Sequence, residues 1–174
     1  GLVAVEGRLT ENSFVLRRDF RLRGGFAFFA WYAGPHAGDF VVSVGGYHPS
    51  FQVPAHYPRP ERVEFNCQIG QVTISGQCYF ALCPAAIMAG GSLSIVYASG
   101  GIRAWLVARA DFLMQWKPLH YEAAVAVSLG VQLNIKIWFV RIRLSIELGA
   151  AIALYGPPLA GSVRISLYVV SFTV

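Results

Sequence analysis

The chain has 174 residues, the size of one domain with a full core. Hydrophobic residues make up 55% and charged ones 13%, against roughly a quarter charged in ordinary globular proteins. So few charges cannot cover a monomer of this size, and some apolar surface is expected to meet a partner, a lipid or the rest of a longer chain.

The net charge of +5 is spread over strands, apart from Arg17-Arg18 with Arg21 and Arg23, and Arg141 with Arg143. That pattern is no nucleic-acid footprint. No run reaches ~18 uninterrupted apolar residues, so no helical membrane span is expected. The first residues, Gly-Leu-Val-Ala-Val-Glu-Gly-Arg, lack the order of a signal peptide and read as a strand under way. Compartment is left open.

Aromatic and β-branched residues are dense, glycine punctuates the chain, and the dominant period is two. Strands are predicted over 2–9, 12–17, 24–33, 38–46, 62–69, 72–82, 86–98, 102–115, 120–134, 141–155 and 162–174. The hairpin built from Gly25–Tyr32 and Phe40–Val44 across Gly34-Pro35-His36-Ala37-Gly38 is apolar on both sides. Strands of that kind are buried on both sides, by the rest of the domain or by a partner.

The stretch Gly45–Glu61 is the one that does not read as strand. It holds His48, His56, Tyr47, Tyr57 and four prolines. Tyr-His-Pro and His-Tyr-Pro are stiff, extended pieces, because proline fixes its own φ and restricts the residue before it. An ordered cover across one end of a barrel is therefore expected, with Tyr47, Phe51 and Tyr57 inward and both histidines hydrogen-bonded.

In the second half the register follows from the turns. Gly100-Gly101 makes a tight hairpin that sets Ser99 opposite Ile102, Tyr97 opposite Ala104, Ile95 opposite Leu106 and Leu93 opposite Ala108. Trp116-Lys117-Pro118-Leu119 closes the next hairpin, with Ala110 opposite Val125, Ala108 opposite Val127 and Leu106 opposite Leu129. Arg103, Arg109, Asp111 and Glu122 then share the other face, where opposite charges are expected to form a cross-strand ladder. A slip of one residue would send both sets to the wrong side. Ile142, Leu144, Ile146, Leu148, Ala150, Ile152 and Leu154 extend the apolar face, as do Val163, Ile165, Leu167 and Val169. The expected fold is all-β: one domain over 1–174, a long-stranded antiparallel meander closed or coiled into a barrel or sandwich around a small-residue core.

Strong catalytic signatures are absent: no G-x-S-x-G, H-E-x-x-H, P-loop, G-x-G-x-x-G or C-x-x-C. Cys67, Cys78 and Cys83 sit among apolar neighbours and read as small buried thiols. The candidate site is the proline-rich loop: Asp39, Tyr47, His48, His56 and Tyr57, with His120 able to approach. A His-x7-His pair does not define a metal site, which needs three or more converging ligands, so neither metal nor cofactor is expected.

Several motifs carry a resemblance: Gly-Gly-Phe-Ala-Phe, Gly-Asp-Phe-Val-Val-Ser-Val-Gly-Gly-Tyr-His-Pro, Pro-Ala-His-Tyr-Pro, Ala-Asp-Phe-Leu-Met-Gln-Trp-Lys-Pro-Leu-His-Tyr and Tyr-Gly-Pro-Pro. Over nearly its whole length the chain resembles an uncharacterised β-rich family, a domain of unknown function towards the C-terminus of long, mostly microbial chains. The resemblance implies a fragment or shortened relative of a longer protein. It carries no activity and no assigned catalytic residue. Tyr47-His48-Pro49 and Ala55-His56-Tyr57-Pro58 are hallmarks of its pattern, and the three cysteines are not.

The leading expectation is a non-enzymatic β-module that assembles with a larger chain or an oligomer, or binds a lipid-like ligand on its apolar face. The alternatives are a membrane-inserted β-barrel or pore, and a hydrolase or metal-dependent enzyme built on His48 and His56.

Overall fold

The computed structural model describes residues 1–10, 13 and 20–173, with side chains to 171. The strand expected over 12–17 and the Arg17-Arg18 pair lie outside the described residues. Among the described residues ten strands form: β1 Leu2–Leu9, β2 Arg21–Trp31, β3 Phe40–Val44, β4 Val63–Ile69, β5 Val72–Cys83, β6 Ala86–Ser99, β7 Ile102–Trp116, β8 Leu119–Ile137, β9 Val140–Gly156 and β10 Ala160–Thr173. All pairings are antiparallel, in the order β1-β2-β3-β5-β6-β7-β8-β9-β10, with β4 between β2 and β5. The protein is an all-β meander in one sheet. Among the described residues β1 and β10 do not pair, so the sheet keeps two edges instead of closing into a barrel.

The register of the second half is the one the turns dictate. Ser99 faces Ile102 and Leu93 faces Ala108. Trp116 faces Leu119, Ala108 faces Val127 and Leu106 faces Leu129. Val163 and Leu167 on β10 align with Ile152 and Leu148 on β9.

One hairpin runs further than its sequence suggests. Ile137 pairs with Val140, so β8 and β9 continue to a two-residue turn at Trp138-Phe139. That turn contains no glycine, proline or asparagine, the residues that usually announce one.

Strands β3 and β4 are two halves of one line. Val44 pairs with Phe80 and Val63 with Cys78 on the same partner strand, leaving a single ladder position, opposite Tyr79, between them. Residues 45–62 leave the sheet at that position and return to it. Gly45 makes the exit with φ 70°, and a Cβ there would lie 2.4 Å from the Cys78 carbonyl oxygen, so only glycine fits. Backbone bonds from Gly45 N to Gly25 O (2.8 Å) and from Gly25 N to Glu61 O (3.0 Å) keep the ladder closed beneath the excursion.

This strap lies across one face of the sheet and makes the core. Tyr47, Phe51 and Tyr57 pack on Val41, Ala81, Cys83, Ala86, Met88 and Leu113, with Phe29, Trp31 and Val53 at the margin. Met88 is 0% and Leu113 1% exposed. The core therefore sits on the face shared by Arg109 and Asp111, not on the face expected to be dry.

The opposite face stays open. Its side chains are nearly all apolar, yet Leu129 is 46% and Ile165 74% exposed. The expected wrapping around small alanines does not occur, because nothing within the described residues is left to cover that side. The two-sided N-terminal hairpin shows the same division. Ala27 and Val41 are buried under the strap, while Phe26, Phe28 and Val44 on the other side are exposed.

Candidate functional site

The strap gathers most of the polar groups singled out in the sequence. Asp39 ends the turn before β3. Its Oδ1 accepts from Phe40 N (2.9 Å) and from the Tyr57 hydroxyl (2.7 Å). Its Oδ2 lies 2.7 Å from His56 Nε2. The His36 ring stacks on His56 at 3.8 Å and 5°, and Trp31 meets His56 edge-on and Tyr57 face-on. Burial, followed by the Asp39 contact, pushes the Tyr57 phenol far above its ordinary range, so it stays protonated and acts as a donor.

Tyr47 donates to Pro58 O (2.7 Å) from inside the core, and desolvation raises its pKa to about 12. Its carbonyl accepts from Arg62 Nη2 (3.0 Å), and the Arg62 guanidinium sits 4.1 Å above the Tyr79 ring. Arg62 Nη1 is buried with no hydrogen-bond partner among the described residues, and desolvation lowers the guanidinium pKa.

His48 belongs to a different set. It is buried, its backbone N–H points at the Met88 sulfur (3.3 Å), and its Nδ1 accepts from Ser50 N (3.1 Å). That bond places the proton of the neutral ring on Nε2. Desolvation lowers the His48 pKa, against the opposing pull of Asp111 and Glu122.

A cavity of about 770 Å³ opens beside His48 and Ser50. Arg109, Asp111, His120 and Glu122 line it, Ala124, Ala126, Ala151 and Ala153 contribute its floor, and Tyr155 and Arg164 reach it from the far side. His120 thus joins His48 rather than His56. Its Nε2 lies 2.8 Å from Glu122 Oε1, and this hydrogen bond holds the Glu122 carboxyl below the usual carboxylate range.

The expected cross-strand ladder of charges is not what forms. The residues opposite Asp111 and Arg109 are Ala124 and Ala126, so the ion pairs run along single strands. Arg109 Nε meets Asp111 Oδ2 at 2.6 Å, and His120 meets Glu122 two residues on. Asp111 Oδ1 also accepts from the Tyr79 hydroxyl at 2.8 Å.

Tyr79 and Arg62 were not singled out in the sequence. The alternation held a signal for Tyr79, because Tyr79, Gly90 and Asp111 align across two ladders and only glycine in the middle leaves room for the ring.

Chemically, the strap offers an Asp–His pair and the cavity a His–Glu pair. Among the described residues no hydroxyl or thiol is hydrogen-bonded to the remaining nitrogen of His56, as a nucleophile would be. No group of three or more His, Cys, Asp or Glu side chains among them is placed to hold a metal ion. Cys67 and Cys83 are buried, whereas Cys78 is exposed, against the expectation of three buried thiols.

An open antiparallel meander, with its core under a strap on one face and bare apolar side chains on the other, defines a β-sheet module. By sequence the chain belongs to the Family of unknown function (DUF6603), which matches residues 1–174. No curated protein and no solved structure matches it.

Proposed function

We propose that the protein is a non-enzymatic assembly module whose open apolar face is buried against a second apolar β-layer, from a longer chain or from a second copy. One observation carries this reading: apolar side chains point to the same side along the whole sheet, and many of them, from Val3 on β1 to Val169 on β10, remain exposed there.

The area supports it. The accessible surface is 11564 Å², where a compact chain of 19.0 kDa exposes about 8,400 Å². The surplus of about 3,000 Å² on this chain, matched by a like area on a partner, is on the scale of the largest obligate interfaces, which bury ~2,000–5,000 Å² or more in total. Two sheets packed face to face lie ~10 Å apart, and the mixture of alanine with leucine, isoleucine and valine on this face suits such interdigitation. The engagement of both Asp39 oxygens and of His48 Nδ1 within the strap supports a structural use of those groups.

The test is the mass of the detergent-free chain in solution. Light scattering should give a multiple of 19.0 kDa, and placing aspartate at Leu129 and Leu148 should reduce it to the monomer. A monomeric parent with lipid retained in native mass spectrometry would favour a carrier of apolar ligands instead. A chain that stays in solution only in detergent would favour a membrane-inserted sheet.

A further inference from the structure

We infer that the β8–β9 hairpin tip is a membrane-contact element that inserts Trp138 and Phe139 into an anionic bilayer surface.

Three independent observations converge on it. The first is exposure: Trp138 and Phe139 are each 85% exposed, so these two large rings add almost nothing to the fold. The second is backbone conformation. Trp138 has φ 55° and, among the described residues, is the one non-glycine with positive φ. The hairpin at Gly100-Gly101 meets the same requirement with two glycines, at φ 56° and 84°. A tryptophan held where glycine or asparagine is cheaper points to selection for the side chain itself. The third is charge. Lys136 lies directly opposite Arg141, and Arg143 opposite Asn134, so cations collect just behind the tip. Like charges placed opposite one another destabilise a hairpin. They suit a surface of phosphates. Residues 131–144 contain no Asp or Glu to neutralise them.

Geometry makes the tip accessible. On the β7 side the last pair is Ile102 with Leu133. Residues 135–141 therefore project past β7, by about 10 Å at ~3.3 Å per residue. Within the projection the alternation continues: Ile135 and Ile137 face the apolar side, Lys136 and Arg141 the other. Aromatic rings at the tip, flanked by long cations that keep their heads in the phosphate layer, match the chemistry of a bilayer interface.

The experiment is flotation of the detergent-free chain with vesicles of phosphatidylcholine alone and of equal parts phosphatidylcholine and phosphatidylserine. Binding is expected to the mixed vesicles, weaker on the neutral ones and weaker at high salt. Trp138→Asn with Phe139→Ser should abolish it, asparagine being tolerated at positive φ. Lys136→Gln with Arg141→Gln should weaken it about thirtyfold, at about 1 kcal/mol per basic residue. A parent that does not float, equal binding to both vesicle types, or tip variants that float like the parent would overturn the inference. Loss of flotation only on placing aspartate at Leu129 and Leu148 would also overturn it, and would assign the membrane to the open face. The solution mass of the tip variants should equal that of the parent, which separates this site from the assembly reading.

Discussion

Where the strap crosses, both faces of this sheet are made of apolar side chains, and only one of them is a core. On the strap face Val41, Ala81, Met88 and Leu113 are sealed by an excursion from a neighbouring strand. On the open face Phe112, Val125, Leu129 and Ile152 occupy equivalent ladder positions and remain in solvent. Burial here is decided by what lies above the sheet, and a strand's own periodicity is silent about that. The period sorts residues into faces; a cover turns a face into a core.

Truncating side chains on each face breaks the comparison most directly. Met88→Ala or Leu113→Ala should cost about 2–5 kcal/mol, through lost burial and the cavity left under the strap. Leu129→Ala, in a chain kept monomeric at low concentration, should fall within about 0.5 kcal/mol. Urea unfolding measures both. Equal losses would mean that the open face is already covered in solution.

Enlarging the alanines is the complementary change. Ala86 is fully buried under the strap, and Ala86→Leu should cost about 1–3 kcal/mol by overpacking. Ala108 lies on the open face, half-buried among its sheet neighbours, and Ala108→Leu should be close to neutral there. A large loss at Ala108 would again reveal a hidden partner layer.

The pairing of the second half was legible because glycines at 100–101 and the Trp116–Leu119 turn fix the offset, and a one-residue slip reverses every face. The ordered strap was legible too, from prolines and aromatic rings too stiff to be disordered. Three things were not. The cover was expected at a barrel end, since sequence offers no sign that Val44 and Val63 are neighbours in one interrupted line. The Trp138-Phe139 turn was invisible because it uses none of the residues that mark turns. The split of the candidate residues into Asp39, His56 and Tyr57 on one side and His48 with His120 on the other depends on which way the strap crosses the sheet. No local pattern encodes that direction.

The strap's own polar bonds give a smaller effect. Asp39→Asn removes the charge that receives the Tyr57 and His56 hydrogen bonds, and should cost about 1–3 kcal/mol. Tyr57→Phe should cost less, since the ring remains in the core and one donor disappears. Thermal melts of the two variants sharpen the comparison: polar anchoring of the cover should add to, and not replace, its apolar packing. If Asp39→Asn melts like the parent, the strap is held by its rings alone.

The smallest effect is a pH dependence confined to the covered face. Burial lowers the His48 pKa, so near neutrality the folded chain binds fewer protons there than the unfolded one, whose histidine titrates near 6.5. Stability contributed by the neutral ring is therefore complete above about pH 6.5 and is lost as the pH falls through that value toward the lower folded pKa. Glu122, whose pKa is lowered by the His120 hydrogen bond, adds a second loss in the same direction at more acid pH, where carboxylates protonate. The melting temperature should fall in two steps on acidification. His48→Gln should remove the first and keep the second, because glutamine can still accept from Ser50 N but does not titrate. Leu129→Ala should leave both steps in place, as the open face holds neither group. If His48→Gln melts with the parent's slope between about pH 6.5 and 5, the imidazole is hydrated in solution, and the strap is looser over His48 than its hydrogen bonds indicate.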